Sequence, residues 1–351
     1  MSGELGEASG PWDVADLAAY PLVPPMAVAP LVGAGGINNQ VRLVETGAGR
    51  FLWKGYLTHA DPARIVAEHR LLAWLAGAGL PFATPAPVPT REGATLLPAP
   101  GGSGWRALFD WLPGGTLDRR DPATIAALGA ALGTLHHALT RLPDDLRPPL
   151  APYGELAQIH PLIPAPYTLT PTALGLPEVA PYVGQLAEWR AILAEMGAFI
   201  VGPYAALPRQ VIHGDFGPGN AMAEGDRITA IFDFEFAMWD ARAIDLAAGL
   251  AMTIRIWQLD PPESLALAGA FCRGYLRTNR LTAAEIAALP QLLILREVVS
   301  TIWWLGRALA AGDVRLRLTQ LAELQQLVVW LDEHGAALVT VIGREMGEEG
   351  R

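Results

Sequence analysis

The spacing of apolar side chains divides the chain into two regimes. Up to about residue 115 the pattern alternates in short runs, as strands do. Residues 31–44 read as a glycine-rich turn entering a strand, residues 45–50 as a hairpin turn around Gly47 and Gly49, and residues 51–57 as the returning strand. Asp61 followed by Pro62 suits a helix start, because aspartate can cap and proline fits the first helical position. That helix is predicted to run to about Ala78, with Gly79 as its stop and Ile65, Leu72 and Leu75 on its buried face. Residues 81–89 form a proline-rich connector, and residues 94–97 and 105–112 read as two more strands. Pro113-Gly114-Gly115 then breaks the chain. From there the period becomes helical, with helices predicted at 122–142, 183–200, 242–256, 262–279, 282–311 and 315–342. A strand–loop–strand at 210–223 and a short strand at 228–233 interrupt them. Residues 1–30 read as an extension with a short helix at 12–20, and 143–182 as an irregular proline-rich insertion. There is no internal repeat. The pattern predicts an α+β fold: a small antiparallel β lobe with one main helix, then a larger, mostly helical lobe.

Composition narrows the class. At 351 residues two lobes are the natural prior, and 51% hydrophobic against 17% charged residues excludes wholesale disorder. Mean hydropathy is +0.27, which raises the question of a membrane. No window offers the ~18 uninterrupted apolar residues that a spanning helix needs, so no membrane association is expected. The first twenty residues are acidic and lack a basic segment, so a secretory signal is not expected. A single cysteine, Cys272, forbids an intrachain disulfide and fits a reducing, cytoplasmic setting. A net charge of −10 argues against nucleic acid as partner. Of the 25 basic residues 24 are arginine, which leaves Lys54 as the one lysine, and there are only four asparagines, Asn38, Asn39, Asn220 and Asn279. A chain so poor in these two types retains them where their chemistry is needed.

The chemistry concentrates in His213-Gly214-Asp215, Asn220 five residues after the aspartate, and Asp233 beyond the next turn. Phosphoryl transfer needs a carboxylate to orient or deprotonate the acceptor hydroxyl. It also needs oxygen ligands for magnesium on the phosphates, and a cation on the nucleotide. An Asp and an Asn five apart on a tight loop can serve the acceptor and the metal, and an Asp after the next hairpin can share that metal. This is the spacing of the kinase catalytic loop and its metal-binding aspartate. Upstream, Lys54 lies mid-strand after a glycine turn, and Glu68 lies on the following helix where it can pair with that lysine.

The segment VIHGDFGPGN resembles the H-G-D-x4-N loop of the aminoglycoside phosphotransferase and choline kinase-like family, and AIFDFEFAMWDARAIDLA resembles that family's second block. The resemblance spans about residues 30–335. It implies a protein-kinase-like two-lobe fold and ATP- or GTP-dependent phosphorylation of a small molecule, with Mg2+ as cofactor. It divides the chain into an extension (1–30), a nucleotide-binding lobe (31–104), a hinge (105–115) and a helical lobe (116–351). By position, Asp215 would be the catalytic carboxylate, and Asn220 and Asp233 magnesium ligands. Lys54, held by Glu68, would contact nucleotide phosphates, together with Gly35, Gly36, Asn38 and Asn39 of the glycine loop. The backbone of Phe109, Asp110 and Trp111 would meet the base. His213 and Asp245 would support the catalytic loop, and Glu235 and Asp240 would reach the substrate. The middle aspartate of the second block lacks its usual glycine and proline neighbours, being flanked by Trp239 and Ala241.

Other residues have plainer readings. His136-His137 on an apolar helix reads as packing, and Cys272, beside Phe271, as a buried inert thiol. The acceptor could be an aminoglycoside, a choline-like alcohol or homoserine: residues after 104 carry 27 acidic against 19 basic side chains, which favours a cationic acceptor, while IFDFEFA resembles the homoserine kinase branch. The protein would act as a monomer or homodimer. Two alternatives remain at this level: a phosphohydrolase with a two-metal cluster of His213, Asp215, Asp233 and Glu235, and an inactive nucleotide-binding protein of the same fold.

Overall fold

The computed structural model describes residues 14–31, 39–58, 61–99, 104–170, 183–254, 259–312 and 321–348. The chain forms two compact units, Met1–Pro113 and Gly114–Arg351.

In the first unit five strands form one antiparallel sheet in the order β1-β2-β3-β5-β4: β1 Met26–Pro30, β2 Asn39–Thr46, β3 Gly49–Tyr56, β4 Leu97–Pro98 and β5 Trp105–Asp110. Helix α1, Pro62–Ala76, begins as its sequence predicts: the Asp61 side chain accepts from Ala63 N at 3.0 Å. It ends at Gly77, slightly before the predicted stop. The buried cluster under the sheet contains Leu17, Tyr20, Val44, Trp53 and Leu108. Residues 14–30 are therefore part of this lobe rather than an extension. A 3-10 turn at Val14–Ala19 replaces the predicted helix, Asp16 pairs with Arg106, and β1 adds an edge strand. Pro30 inside β1, with Pro24 and Pro25 just before it, hid this strand; an edge position tolerates the missing N–H of proline.

The second unit is helical apart from two small antiparallel pairs. Its helices are α2 Pro122–Leu139, α3 Val183–Val201, α4 Ala243–Ile254, α5 Pro261–Leu276, α6 Ala283–Ala311 and α7 Leu321–Glu348. Its strands are β6 Arg209–Ile212 paired with β9 Met238–Ala241, and β7 Ala221–Glu224 paired with β8 Arg227–Ile231. Asp121 caps α2, and a Thr282–Glu285 capping box starts α6. Helices α2 and α5 approach backbone to backbone, because a Cβ on Gly129 would lie 1.9 Å from Phe271 O and one on Gly274 1.8 Å from Ala126 O. Helix α6 is long and apolar enough to cross a membrane by length and composition, but half of that stretch is buried inside the fold. It packs against α4 and α7 and carries Arg296 and Glu297 in its apolar run. The α+β architecture read from the sequence is the one observed.

Candidate active site

The loop after β6 is built from short-range constraints. Gly214 has φ of 81°, and a Cβ there would meet Phe236 O at 2.1 Å, so only glycine fits this corner. Asp245, fully buried on α4, clamps the corner from behind. Its Oδ2 accepts from His213 N at 2.7 Å and its Oδ1 from Gly214 N at 2.8 Å. His136 of α2 stands at 3.0 Å from the same Oδ2, and its other nitrogen at 3.1 Å from the Tyr275 hydroxyl. The Tyr153 hydroxyl donates to Gly214 O. The fully buried His213 ring faces Phe232 O with Nε2 at 3.0 Å, while its Nδ1 accepts from Asp215 N at 3.3 Å. Burial holds its pKa below the usual histidine value, outweighing Asp245. A neutral ring that donates from Nε2 satisfies both bonds.

This frame presents Asp215, whose side chain keeps 29% of its exposure. Asn220, at the end of a 3-10 turn, donates to Asp215 O at 2.8 Å and to its Oδ2 at 3.1 Å. The Asp215 carboxyl is pushed up to about 7, first by burial; Arg296 pulls it down, Asp233 pushes it up, the Asn220 bond lowers it, and Glu235 raises it. Asp233 and Glu235 thus lie within electrostatic range of Asp215. Asp233 sits in the left-handed region, with φ of 68° and ψ of 57°, the only non-glycine residue of positive φ among the described residues. Aspartate is among the few side chains that tolerate this conformation, which costs ~1–3 kcal/mol. Glu235 is 5% exposed.

In the first unit, Lys54 is central on β3, opposite Val41 and Ala107. Its ammonium lies 3.7 Å from Glu68 Oε1 and 4.7 Å over the Tyr56 ring. The Tyr56 hydroxyl reaches Glu68 Oε2 at 3.4 Å and His69 Nε2 at 3.0 Å, and His69 Nδ1 meets Thr95 Oγ1 at 2.8 Å. Burial, with help from Lys54, pushes the His69 pKa down to about 4, so this imidazole is neutral. Asn39 starts β2 opposite Tyr56. Gly35, Gly36 and Asn38 lie outside the described residues. Phe109 is 2% exposed and packs edge-on to His69, so its ring belongs to the core. The Asp110 N–H donates to Ala86 O at 3.1 Å and is spent within the lobe, and Trp111 lies under Arg50.

One expected substrate residue is corrected outright. Asp240 is 0% exposed: its Oδ2 accepts from Tyr153 N at 2.8 Å, and its Oδ1 from the Tyr204 hydroxyl, Arg209 and Ala241 N. It has no surface for a ligand and ties the 143–170 segment to β9. The two-metal hydrolase also loses its basis. His213, a member of its cluster, spends both nitrogens internally. Cys272 is buried and its thiol pushed up to about 12 by burial and then by Glu345, which makes it inert.

Two contributors escaped the sequence reading. His136 is a strut behind the His213–Asp215 loop, through Asp245, rather than packing alone. Arg296 of α6 holds its Nη2 3.9 Å from Asp215 Oδ1 and its Nη1 on Glu297 Oε1. Its one sequence signal is a charged pair, Arg296-Glu297, inside an otherwise apolar helical run.

Residues 31–289 match the model of the phosphotransferase enzyme family. A homoserine kinase of Caulobacter sp. (strain K31) is 33% identical over 264 residues, 73% of this chain and 74% of that protein. A homoserine kinase of Azorhizobium caulinodans is 31% identical over 259 residues, 74% of each. Among solved structures, a microcompartment-associated aminopropanol kinase superposes with a TM-score of 0.64 at 17% identity, covering 93% of this chain and 97% of that one. An amicoumacin kinase in complex with AMP-PNP, Ca2+ and Ami gives 0.63 at 16% identity, covering 88% and 91%. At such identities these two structures speak for the fold.

Proposed function

This chain belongs to the phosphotransferase enzyme family and is a small-molecule kinase, and from that premise we propose that it moves the γ-phosphate of ATP or GTP onto the side-chain hydroxyl of homoserine or a close amino-acid alcohol. The observation that carries the reading is the Asp215 carboxylate, fixed by Asn220 and poised at a pKa of about 7 on a loop clamped by Asp245. A general base works best when its pKa lies near the operating pH. The relatives named homoserine kinase support the acceptor.

Asp215 receives the acceptor hydroxyl and takes its proton as the oxygen bonds to the γ-phosphorus. The bond from that phosphorus to the β–γ bridging oxygen breaks, and the nucleoside diphosphate leaves. Most of the catalysis is positioning and charge stabilisation, because such transition states carry little covalent work for the protein. Asn220 supplies part of that positioning by holding both the backbone and the carboxylate of Asp215. Lys54, with Glu68 as counter-charge, contacts the nucleotide phosphates. Magnesium suits the remaining donors. Asn220 spends its NH2 on Asp215, which leaves its amide oxygen, and Asp233 offers a carboxylate in an acidic group whose excess charge raises Asp215. A magnesium ion held there would neutralise charge on the phosphates.

The reading is tested by nucleotide turnover against homoserine, serine, choline, 3-aminopropanol and an aminoglycoside. Homoserine should give the highest kcat/KM. A preference for choline or the aminoglycoside would overturn the acceptor assignment.

A further inference from the structure

Arg296 is the cation nearest the catalytic carboxylate among the described contacts, yet it is poorly used there. Its side chain keeps 14% of its exposure and, among the described residues, makes one hydrogen bond, from Nη1 to Glu297. Its Nη2 lies 3.9 Å from Asp215 Oδ1, too far for a hydrogen bond and close enough for attraction. A planar fork with five donors is built for bidentate recognition of a carboxylate. Burial works against its charge, but the Glu297 and Asp215 carboxylates outweigh this and hold the guanidinium above the usual arginine value, so it is permanently cationic. Nothing about the stability of α6 calls for it: the helix is otherwise apolar over this stretch, and burying an arginine there is costly without a partner. The partner in place, Glu297, satisfies one arm only.

We propose that the free arm of Arg296 reads the α-carboxylate of the acceptor, and so selects amino-acid alcohols over the corresponding amines. This deepens the proposed function and rests on it. Homoserine carries its hydroxyl and its carboxylate on one short carbon chain. An acceptor with the hydroxyl on Asp215 can lay its carboxylate toward Nη2. In that pose Arg296 need not leave Asp215 to bind the carboxylate. The other use of such a cation is stabilisation of the transferring phosphoryl group, which would treat all acceptors alike.

The test pairs one substitution with one deletion in the substrate. Steady-state kinetics are measured for the wild-type chain, Arg296→Gln and Arg296→Lys, each with homoserine and with 3-aminopropanol, which is homoserine without its carboxylate. Wild type should favour homoserine by about 100-fold or more in kcat/KM. Arg296→Gln should lose most of that preference through a raised KM for homoserine; removing this cation also raises the Asp215 carboxyl and slows both acceptors alike, so the inference is read from the ratio of the two kcat/KM values, and Arg296→Lys should restore part of that ratio. Equal losses with both acceptors, which leave the ratio unchanged, would overturn the inference, while homoserine turnover by wild type would still uphold the proposed function. A wild type that prefers 3-aminopropanol, or that uses neither, would overturn both. Circular dichroism of each variant separates these results from misfolding, and if Arg296→Gln fails to fold, Arg296→Lys alone decides by the same ratio.

Discussion

Burial raises the proton affinity of Asp215, Arg296 lowers it, and the Asp233 carboxylate raises it again; the balance lies at about 7, against 3.8 for an isolated aspartate. Two consequences follow at this residue. In the free enzyme kcat/KM for the acceptor should rise with pH through about 7 and level off above it, because only the ionised carboxylate takes a proton. Asp215→Asn should lower kcat by about 10²–10⁴-fold with nucleotide affinity nearly unchanged, which titration calorimetry checks. The folded-state pKa is raised, so the native chain binds the extra proton between the unfolded and folded values. Stability linked to Asp215 is therefore complete below the unfolded value and is lost as pH rises through about 7. Asp215→Asn should accordingly raise Tm relative to wild type at pH 8 and have little effect at pH 4. Lys54→Arg should fold normally yet lose roughly 10²-fold in turnover, because a planar fork displaced from Glu68 cannot replace a compact ammonium. The Lys54–Glu68 ion pair and the tight loop that joins Asp215 to Asn220 were legible because particular residue types stand at short spacings in the sequence. Asp240 was misread for the opposite reason: its partners Tyr153 and Tyr204 lie far upstream, and only packing reveals that they enclose it. Arg296 was invisible as a neighbour of Asp215, since nothing in a linear sequence places α6 beside the loop.

At the scale of elements, the loop that carries Asp215 is held by α4 and α2 more than by itself. Asp245 accepts two loop N–H groups and faces His136, all of them buried. Asp245→Ala should cost about 3–5 kcal/mol in a urea melt and abolish turnover, because three polar groups lose their partner at once. Asp245→Asn, which keeps the shape but not the charge, should cost less. A result within 1 kcal/mol of wild type for Asp245→Ala, below the cost of even ~1 unsatisfied buried donor, would remove the clamp from the account. The long helices were readable because each has a cap and a sustained helical period, as Asp61, Asp121 and Thr282 illustrate. The short strands were not. Residues 238–241 sit between a 3-10 turn and a helix, too few to show alternation, and β9 exists only because β6 pairs with it.

For the whole molecule, the family and its homoserine kinase relatives point to a small-molecule phosphotransferase, and the fold agrees. Ligand that binds only the folded state raises Tm by mass action. ATP with magnesium should therefore raise Tm, ATP with a chelator should do so far less, and Asp233→Ala should abolish the difference. Equal shifts with and without magnesium would remove Asp233 from the metal site. The central claim is that this chain transfers a phosphoryl group from nucleotide to the hydroxyl of homoserine through Asp215. Phosphorus NMR of the purified chain with ATP, magnesium and homoserine measures it most directly. The account predicts one phosphate monoester of homoserine per nucleoside diphosphate formed, and neither product with Asp215→Asn. Inorganic phosphate in place of the monoester, or undiminished monoester from Asp215→Asn, would contradict it.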